Sequence, residues 1–155
     1  MRASTRFAIA VHILMLTAAF QDKYKITSSM LSDSTGVNAV IIRNIFSKLK
    51  KAKIIQVSPG TSGIKLIKKP EQISLFDIYA TVEIEEPINV LSIHQNIPCD
   101  CPIGISVTDI LMKHFITAAT AMENELSKVS LLDLLNEIKE TVPDLQPPWL
   151  HGKLD

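Results

Sequence analysis

Hydrophobic residues recur at helical spacing through the first part of the chain, and short polar segments separate the helices that this spacing predicts. The first helix is predicted from Ser4 to Phe20, with one apolar face directed into a core. That face consists of Phe7, Ile9, Ala10, Ile13, Leu14, Leu16, Thr17 and Phe20. The run, preceded by Arg2 and Arg6, also resembles a secretory signal, but His12 interrupts it and it is too short to span a bilayer. We therefore expect a buried amphipathic helix.

Residues 26–66 predict a helix, a tight turn, a second helix and a two-stranded wing. Thr27 and Asn38 suit the N-caps of these helices, because their side chains accept hydrogen bonds from unpaired backbone N–H groups. Gly36 lies between the helices, where a helix-turn-helix corner often requires a positive φ. Five apolar residues of the second helix are predicted to face inward: Val40, Ile41, Ile45, Phe46 and Leu49. Residues 54–57 and 64–67 are predicted as strands joined by turn residues.

Three further helices are predicted, over Leu75 to about Val82, Pro102 to Lys128, and the residues after Ser130 to about Thr141. The longest carries an apolar stripe formed by Val107, Leu111, Phe115, Ala118, Met122 and Leu126. At 1.5 Å per residue this helix is roughly 40 Å long and would overhang a small domain. We expect the stripe to pack against the same helix of a second chain, the alternative being a contact within its own chain.

Opposite charges are segregated along a chain whose net charge is zero. Residues 1–69 contain twelve Lys and Arg against two Asp and Glu, a net charge of +10, and the remainder has four against fourteen, or −10. Polyanion binding requires a local positive field rather than a net one, so the pattern favours nucleic acid as the partner of the first half. The two cysteines are too few and too close for a disulfide framework, which indicates a reducing, cytoplasmic setting.

These patterns predict a mainly α fold with a small β-wing. Residues 1–82 form a winged helix-turn-helix DNA-binding domain, 83–101 a loop that carries the cysteines, 102–142 the dimerisation helices and 143–155 an extended, proline-rich tail. No phosphate-binding loop, nucleophile elbow or His-x-x-x-His pair occurs, so an enzyme is not expected.

Five stretches resemble the Rrf2 family of bacterial winged-helix regulators. STRFAIAVHIL is similar to the family's first helix, and GVNAVIIRNIFSKLKKAKII to its recognition helix, which ends in a Lys-Ala-Gly turn. KKPEQISLFDIYATVE is similar to its Pro-Glu-x-Ile-Thr-Leu-x-Asp-Ile segment, and CPIG followed by SLLDLL to its dimerisation region. The resemblance implies a homodimeric transcriptional regulator, with repression the expected mode, that binds a palindromic operator in double-stranded DNA.

The predicted DNA contacts lie on the two helix-turn-helix helices and the wing. Arg43, where many family members have glutamate, is expected to bind guanine, and Asn38 or Asn44 to bind adenine. The lysines are expected to contact phosphates. The full set is Thr27, Ser28, Asn38, Ala39, Val40, Arg43, Asn44, Lys48, Lys50, Lys51, Ser62 and Lys65.

The cysteine segment departs from the family members that bind an iron–sulfur cluster. Those members carry three cysteines five to seven residues apart, whereas here only the middle position, Cys101, is a cysteine. A zinc site from His94, Cys99 and Cys101 lacks a fourth ligand, so no cofactor is expected. Cys101 precedes a predicted helix N-terminus, which stabilises a thiolate, and thiol sensing by Cys99 and Cys101 is one hypothesis.

Two alternatives remain open. In the first, the cysteines are inert and the regulator responds to a small molecule or a partner protein. In the second, the chain is an adaptor that binds no DNA and docks a protein through its C-terminal helices and proline tail. Duplex affinity that falls steeply with salt would separate DNA binding from the adaptor.

Overall fold

Helices dominate the computed structural model, which describes residues 5–58, 63–83 and 102–149. The helices in these ranges are α1 (Thr5–Phe20), α2 (Ser28–Thr35), α3 (Ala39–Lys51), α4 (Leu75–Glu83), α5 (Pro102–Ser127) and α6 (Leu131–Thr141), with a short 3-10 helix at Pro70–Gln72. Strands β1 (Ile55–Ser58) and β2 (Gly63–Leu66) pair antiparallel, with Ile55 opposite Leu66. The predicted fold class, mainly α with a small β-wing, is confirmed.

Helix α1 lies in the centre of the hydrophobic core, as its apolar face predicted. Ala10, Ile13 and Leu14 are fully buried, and Thr17 is buried with its hydroxyl donating to the Ile13 carbonyl at 2.8 Å. Around α1 pack α4, α6, α2 and β2. At its start, the Glu83 carboxylate accepts a hydrogen bond from the backbone N–H of Phe7, which satisfies a donor that a helix N-terminus leaves unpaired. The predicted Ser4 cap lies outside the described residues.

The predicted inward face of α3 was partly wrong. Val40 and Ile41 are 57% and 43% exposed, whereas Ile42 is fully buried. Together with Ile42, the buried side chains are Ile45, Phe46 and Leu49. These four lie at positions i, i+3, i+4 and i+7, which form one helical face, whereas Val40 and Ile41 fall outside it. Two apolar side chains are therefore left on the outer part of this helix.

The element boundaries agree with the prediction to within a residue or two, and the wing shows why they shift. Ile54 belongs to the exit of α3, where its N–H donates to the Leu49 carbonyl at 3.0 Å, and the strand begins one residue later. Ile54 still supports the wing, because its carbonyl accepts from the N–H of Ile67 at 2.9 Å.

The C-terminal helix is fixed to the same core as α1. The Leu75 N–H donates to the Val129 carbonyl and the Leu131 N–H to the Ile73 carbonyl, both at 2.8 Å. Leu131 is fully buried within the central hydrophobic cluster. Helix α6 therefore completes the core around α1, although it was predicted as part of the segment 102–142.

Residues 143–149 pack against the end of α1. The Trp149 ring contacts Phe20 and Tyr24 edge-to-face, with centroids 5.5 and 5.8 Å apart, and Leu145 also packs on the core. Trp149 Nε1 is buried and has no hydrogen-bond partner within the described part of the chain. The proline-rich tail is thus held against the domain as far as Trp149. Within the described ranges, no helix is both long and apolar enough to cross a membrane.

Candidate nucleic-acid interface

The corner between α2 and α3 is fixed by short-range hydrogen bonds. Thr27 caps α2 by accepting from the N–H of Met30 at 3.3 Å. Gly36 ends that helix with φ of 67°, and its N–H donates to the Ser32 carbonyl at 2.9 Å. Asn38 Oδ1 then accepts from the N–H of Val40 at 2.8 Å and caps α3. The predicted caps and the left-handed glycine are confirmed, and they orient α3 relative to α2.

One outward face of α3 brings together several of the predicted contact residues. The predicted contacts Val40, Arg43 and Asn44 are exposed at positions i, i+3 and i+4, and Ser47, which was not among them, is exposed at i+7. Asn38 is exposed at the start of the helix, and Ala39 beside it is half-buried. At the opposite end, Lys50 and Lys51 are exposed in the last turn, next to Ala52. The helix therefore presents a guanidinium and an amide near its start and ammonium groups near its end.

Lys48 has an intramolecular partner that the sequence did not indicate. Its side chain is half-buried, and its ammonium donates to the carbonyl of Val82 at 3.0 Å. Val82 lies in the last turn of α4, where unpaired carbonyls favour a cation. Lys48 thus joins the recognition helix to α4. A phosphate contact by Lys48 stays a prediction and would compete with this bond.

The wing is anchored beside the start of α2. The Ile64 N–H donates to the Ile26 carbonyl at 2.9 Å. Gly63 has φ of 68°, and a Cβ there would lie 2.4 Å from the same carbonyl oxygen, so the close approach requires glycine. Lys65 is exposed opposite Gln56 in the strand register, and its predicted phosphate contact stays a prediction. Ser62, the other predicted wing contact, lies outside the described residues.

Gln21 is a supporting residue that sequence reasoning missed. Its Oε1 accepts from the N–H of Leu66 at 2.8 Å and so ties the wing to the end of α1. The two residues are 45 positions apart, and Gln21 lies in the polar segment that follows the first predicted helix. Local sequence carries no signal for such a contact, because only the folded topology brings the two segments together.

Helix α5 is poorly covered by its own chain. None of its described side chains is buried. Most of the predicted stripe is half-buried, with Ala118 exposed: Val107, Leu111, Phe115, Met122 and Leu126. Outside the stripe, Ile103, Ile110 and Ile116 expose at least half of their surface. The apolar surface of α5 is therefore wider than the part of the helix that packs against its own chain.

An apolar groove of about 550 Å³ runs between α1 and α6, lined by Phe7, Ala8, Val11, His12, Met15, Leu16, Ala19, Phe20, Leu75, Leu134, Leu135, Ile138 and Leu145. His12 is the one titratable side chain in this lining, so the groove assembles no acid–base pair. Among the described residues, no three His, Cys, Asp or Glu side chains converge on a possible metal site. His94, Cys99 and Cys101, the candidate ligands and sensor thiols, lie outside the described residues.

Known proteins resemble the chain over most of its length. The Rrf2 family model, described as an iron-dependent transcriptional regulator, matches residues 3–137. YwnA of Bacillus subtilis (strain 168), provisionally named an HTH-type transcriptional regulator, is 36% identical over 135 residues, which are 87% of this chain and 98% of YwnA.

Two solved structures share the fold. A crystal structure provisionally described as a DNA-binding protein is 36% identical with a TM-score of 0.68, covering 84% of this chain and 98% of its own. A crystal structure of a provisionally described transcriptional regulator from Lactobacillus plantarum is 25% identical, with a TM-score of 0.75. The match covers 87% of this chain and 90% of the Lactobacillus chain. Since the family match extends from α1 through the helix-turn-helix, the wing and α5 into α6, the chain belongs to the Rrf2 family of transcriptional regulators and is not an enzyme.

Proposed function

We propose that the protein is a homodimeric, sequence-specific DNA-binding repressor that places α3 in the major groove. The observation that carries this proposal is the outward face of α3, where exposed Arg43 and Asn44 are held by a hydrogen-bonded corner. Helix-turn-helix proteins contact base edges with the first turns of the second helix. The charge of +10 on residues 1–69 supplies the attraction to phosphates around it.

Base readout and backbone contact are assigned to different residues of this surface. The Arg43 guanidinium suits the two acceptors of guanine, and the Asn44 amide suits the donor–acceptor pair of adenine. Asn38 is a weaker candidate for adenine, because its Oδ1 already accepts the capping bond from Val40. Lys50, Lys51 and Lys65 are exposed and are assigned to phosphates, as are the side chains of Thr27 and Ser28 at the start of α2.

Dimerisation through α5 follows from its apolar surface. A helix that is apolar over most of its circumference is normally packed against neighbours on more than one side. In α5 the predicted stripe is only half-buried, and the apolar side chains outside it are exposed. A second copy would bury the remaining surface in a two-fold interface and would place two α3 helices on one duplex. Two-fold symmetry of the protein in turn requires a palindromic operator. We retain the division into residues 1–82, 83–101, 102–142 and 143–155, with α6 serving both the core and the dimerisation region.

The family's iron dependence does not transfer to this chain as an iron–sulfur cluster. Such clusters are normally held by four protein ligands, most of them thiolates. The whole chain has two cysteines, separated by one residue. One chain therefore lacks the thiolates that a cluster requires.

Thiol sensing is the regulatory mode that the chemistry of Cys101 favours. Helix α5 begins at Pro102, directly after Cys101, and a helix N-terminus stabilises a nearby thiolate and makes it more reactive. Oxidation of Cys101, or a mixed disulfide at Cys99 or Cys101, would alter the start of the helix proposed to set the spacing of the two recognition helices. Iodoacetamide labelling and duplex affinity, each before and after mild peroxide, test this. Cys99→Ser and Cys101→Ser variants serve as controls, and affinity that oxidation leaves unchanged contradicts sensing.

The main proposal is tested by selecting duplexes from a randomised double-stranded library with the full chain. A repressor of this kind enriches a palindrome, and its affinity for that duplex falls steeply as salt concentration rises. A protein-docking adaptor enriches no sequence and binds every duplex weakly. Selection of a sequence without two-fold symmetry would contradict the dimeric arrangement while leaving DNA binding intact.

A further inference from the structure

Two adjacent apolar residues are exposed in the first turns of α3, and they have different surroundings. Ile41, 43% exposed, borders a groove that Ile9 of α1 and Val82 of α4 also line. Val40, 57% exposed, does not line that groove and lies on the outward face with Arg43, whereas Asn44 lies at the boundary and lines the groove as well. An isolated exposed valine is common on protein surfaces and by itself indicates nothing. At this position, however, the valine lies on the face that we assign to base readout.

Thymine is the base that presents a methyl group in the major groove, and apolar side chains recognise it by contact. We propose that Val40 reads the 5-methyl group of a thymine in each operator half-site. The proposal rests on the proposed function, because it requires α3 to lie in the major groove. A thymine read by contact alone would join the guanine and adenine that are read through hydrogen bonds. Val40 would then be a specificity-determining residue.

The local geometry of α3 favours this role. The backbone of Val40 is fixed, because its N–H donates to Asn38 Oδ1 at 2.8 Å. Its branched Cβ has one strongly preferred χ1 rotamer in a helix, so little side-chain entropy is lost on contact. An alanine in its place would keep the helix and remove the two methyl groups that reach toward the base.

The spacing along the helix limits where the thymine lies. Residues three or four positions apart on a helix have Cβ atoms about 5–6 Å apart, which relates Val40 to Arg43 and Asn44. Successive bases of one strand are about 3.4 Å apart along the duplex axis. The thymine read by Val40 is therefore expected within about two base pairs of the guanine read by Arg43.

Replacing single thymines by deoxyuridine tests the proposal, since uracil pairs as thymine does but lacks the methyl group. The probe is the palindrome enriched from the randomised library by the full chain, with each thymine replaced in turn at both symmetric positions. One position is expected to lose roughly fourfold in affinity per half-site, the effect of burying one methyl group. This position should lie within about two base pairs of the guanine at which Arg43→Ala relaxes preference.

Variants assign the effect to Val40. For the parent chain, the thymine duplex binds more tightly than the duplex with uracil at that position. In Val40→Ala the ratio of these two affinities is expected to fall to about one, chiefly because the thymine duplex binds more weakly. Arg43→Ala is the matched control, because it lowers overall affinity while the ratio persists. Val40 is more than half exposed, so Val40→Ala should fold, and circular dichroism checks this.

Each outcome bears on a distinct claim. Enrichment of a sequence without any thymine-to-uracil effect overturns the role of Val40 and leaves the proposed function intact. An effect that persists unchanged in Val40→Ala overturns it as well, because another residue then reads the methyl group. Failure to enrich any sequence overturns the proposed function and the role of Val40 together.

Discussion

Lys53 holds a left-handed backbone conformation, with φ of 57°, where the chain leaves α3. A non-glycine residue in this region costs roughly 1–2 kcal/mol, and glycine itself loses about 0.5–1 kcal/mol of additional backbone entropy on folding. We expect Lys53→Gly to raise the free energy of unfolding by about 0.5–1 kcal/mol. Urea unfolding followed by circular dichroism measures this. Lys50→Gly, within the helix, is the control and should destabilise by a similar amount.

Replacing Arg43 by alanine and replacing Lys65 by alanine should change DNA binding in different ways. Arg43→Ala is expected to cost about 1–3 kcal/mol per half-site and to relax preference at one base position, because it removes a contact to a base edge. Lys65→Ala should weaken binding to all duplexes alike. It should also reduce the slope of log affinity against log salt concentration by about one unit per lost phosphate contact. Fluorescence anisotropy on the selected palindrome and a scrambled duplex separates the two. Equal loss on both duplexes for Arg43→Ala would contradict its readout role.

Single residues were predictable where their role is local. Asn38, Thr27 and Gly36 act through neighbours within a few positions, and the sequence identified all three. The Lys48 bond to Val82 joins residues 34 positions apart, and no local pattern indicates it. Val40 was predicted both to face inward and to contact DNA, because a run of apolar residues on α3 leaves the inward face ambiguous until the helix is packed; its exposure rules out the inward position.

At the scale of elements, a capping box holds the start of α6. Ser130 and Asp133 exchange hydrogen bonds, the Ser130 N–H donating to Asp133 Oδ2 at 2.8 Å. The Ser130 hydroxyl, followed by its N–H, lowers the pKa of Asp133 below the ordinary 3.8. A carboxyl whose pKa is lower in the folded state stabilises the fold above its unfolded pKa. This stability is lost as pH falls through the lowered value.

Asp133→Asn is therefore expected to lower the free energy of unfolding at neutral pH. The difference from the parent chain should shrink as pH falls below 3.8, where the parent carboxyl becomes protonated. Urea unfolding from neutral pH down to about pH 3, beside an NMR titration of the carboxyl, measures both quantities. Glu137→Gln, one turn along the exposed side of the helix, should show no comparable change. A constant difference across this range would mean that the charge of Asp133 does not act through the cap.

The tail contributes an aromatic contact to the end of α1. Trp149→Ala should destabilise by about 2 kcal/mol, less than for a fully buried tryptophan because the side chain is half-buried. Trp149→Phe should cost less, since it keeps a ring against Phe20 and removes an indole N–H without a partner among the described residues. Urea unfolding by far-ultraviolet circular dichroism measures both, with exposed Gln146→Ala as control. Equal losses in the two tryptophan variants would contradict the packing account.

Helices and strands were predictable to within a residue or two because hydrophobic period and capping residues specify them together. Ser74–Asp77 and Ser130–Asp133 mark helix starts by short-range chemistry alone. The packing partners of these helices follow from contacts between distant segments. The joining of Ser74 with Ser130 as a β-bridge is an example that periodicity does not encode.

At the scale of the whole molecule, the segregation of charge could be predicted from the sequence. The net charge of each half is a sum of residue charges and does not depend on how the chain folds. The way α6 completes the core around α1 could not be predicted, since Leu131 joins a core cluster whose α1 members lie more than a hundred positions earlier. The position of α5 shows the same limit. Its apolar stripe was predictable, but the exposure of Ile103, Ile110 and Ile116 outside the stripe depends on how little of the chain packs on it.

That exposed surface leads to a prediction about assembly. Ile110→Glu and Ile116→Glu, made singly, should convert the dimer to monomers, because each places a charge in a surface proposed to be dry. A central interface residue contributes about 2 kcal/mol or more, so each change should weaken dimerisation at least about 30-fold. Neither side chain is buried within its own chain, and the monomer should therefore stay folded. Asn124→Glu, exposed about two turns beyond Ile116 on the polar side of the same helix, is the matched control.

Light scattering coupled to size exclusion reports the mass, and anisotropy on full and half palindromes reports what the dimer adds to DNA binding. The parent chain should bind the full palindrome at least about 100-fold more tightly than a half-site, because the second half-site is engaged within the same complex. The Ile110→Glu and Ile116→Glu variants should lose this difference and keep half-site affinity, whereas Asn124→Glu should keep both. If the two isoleucine variants remain dimeric, α5 is not the interface. If they become monomeric without losing palindrome affinity, dimerisation is not what joins the two recognition helices on one operator.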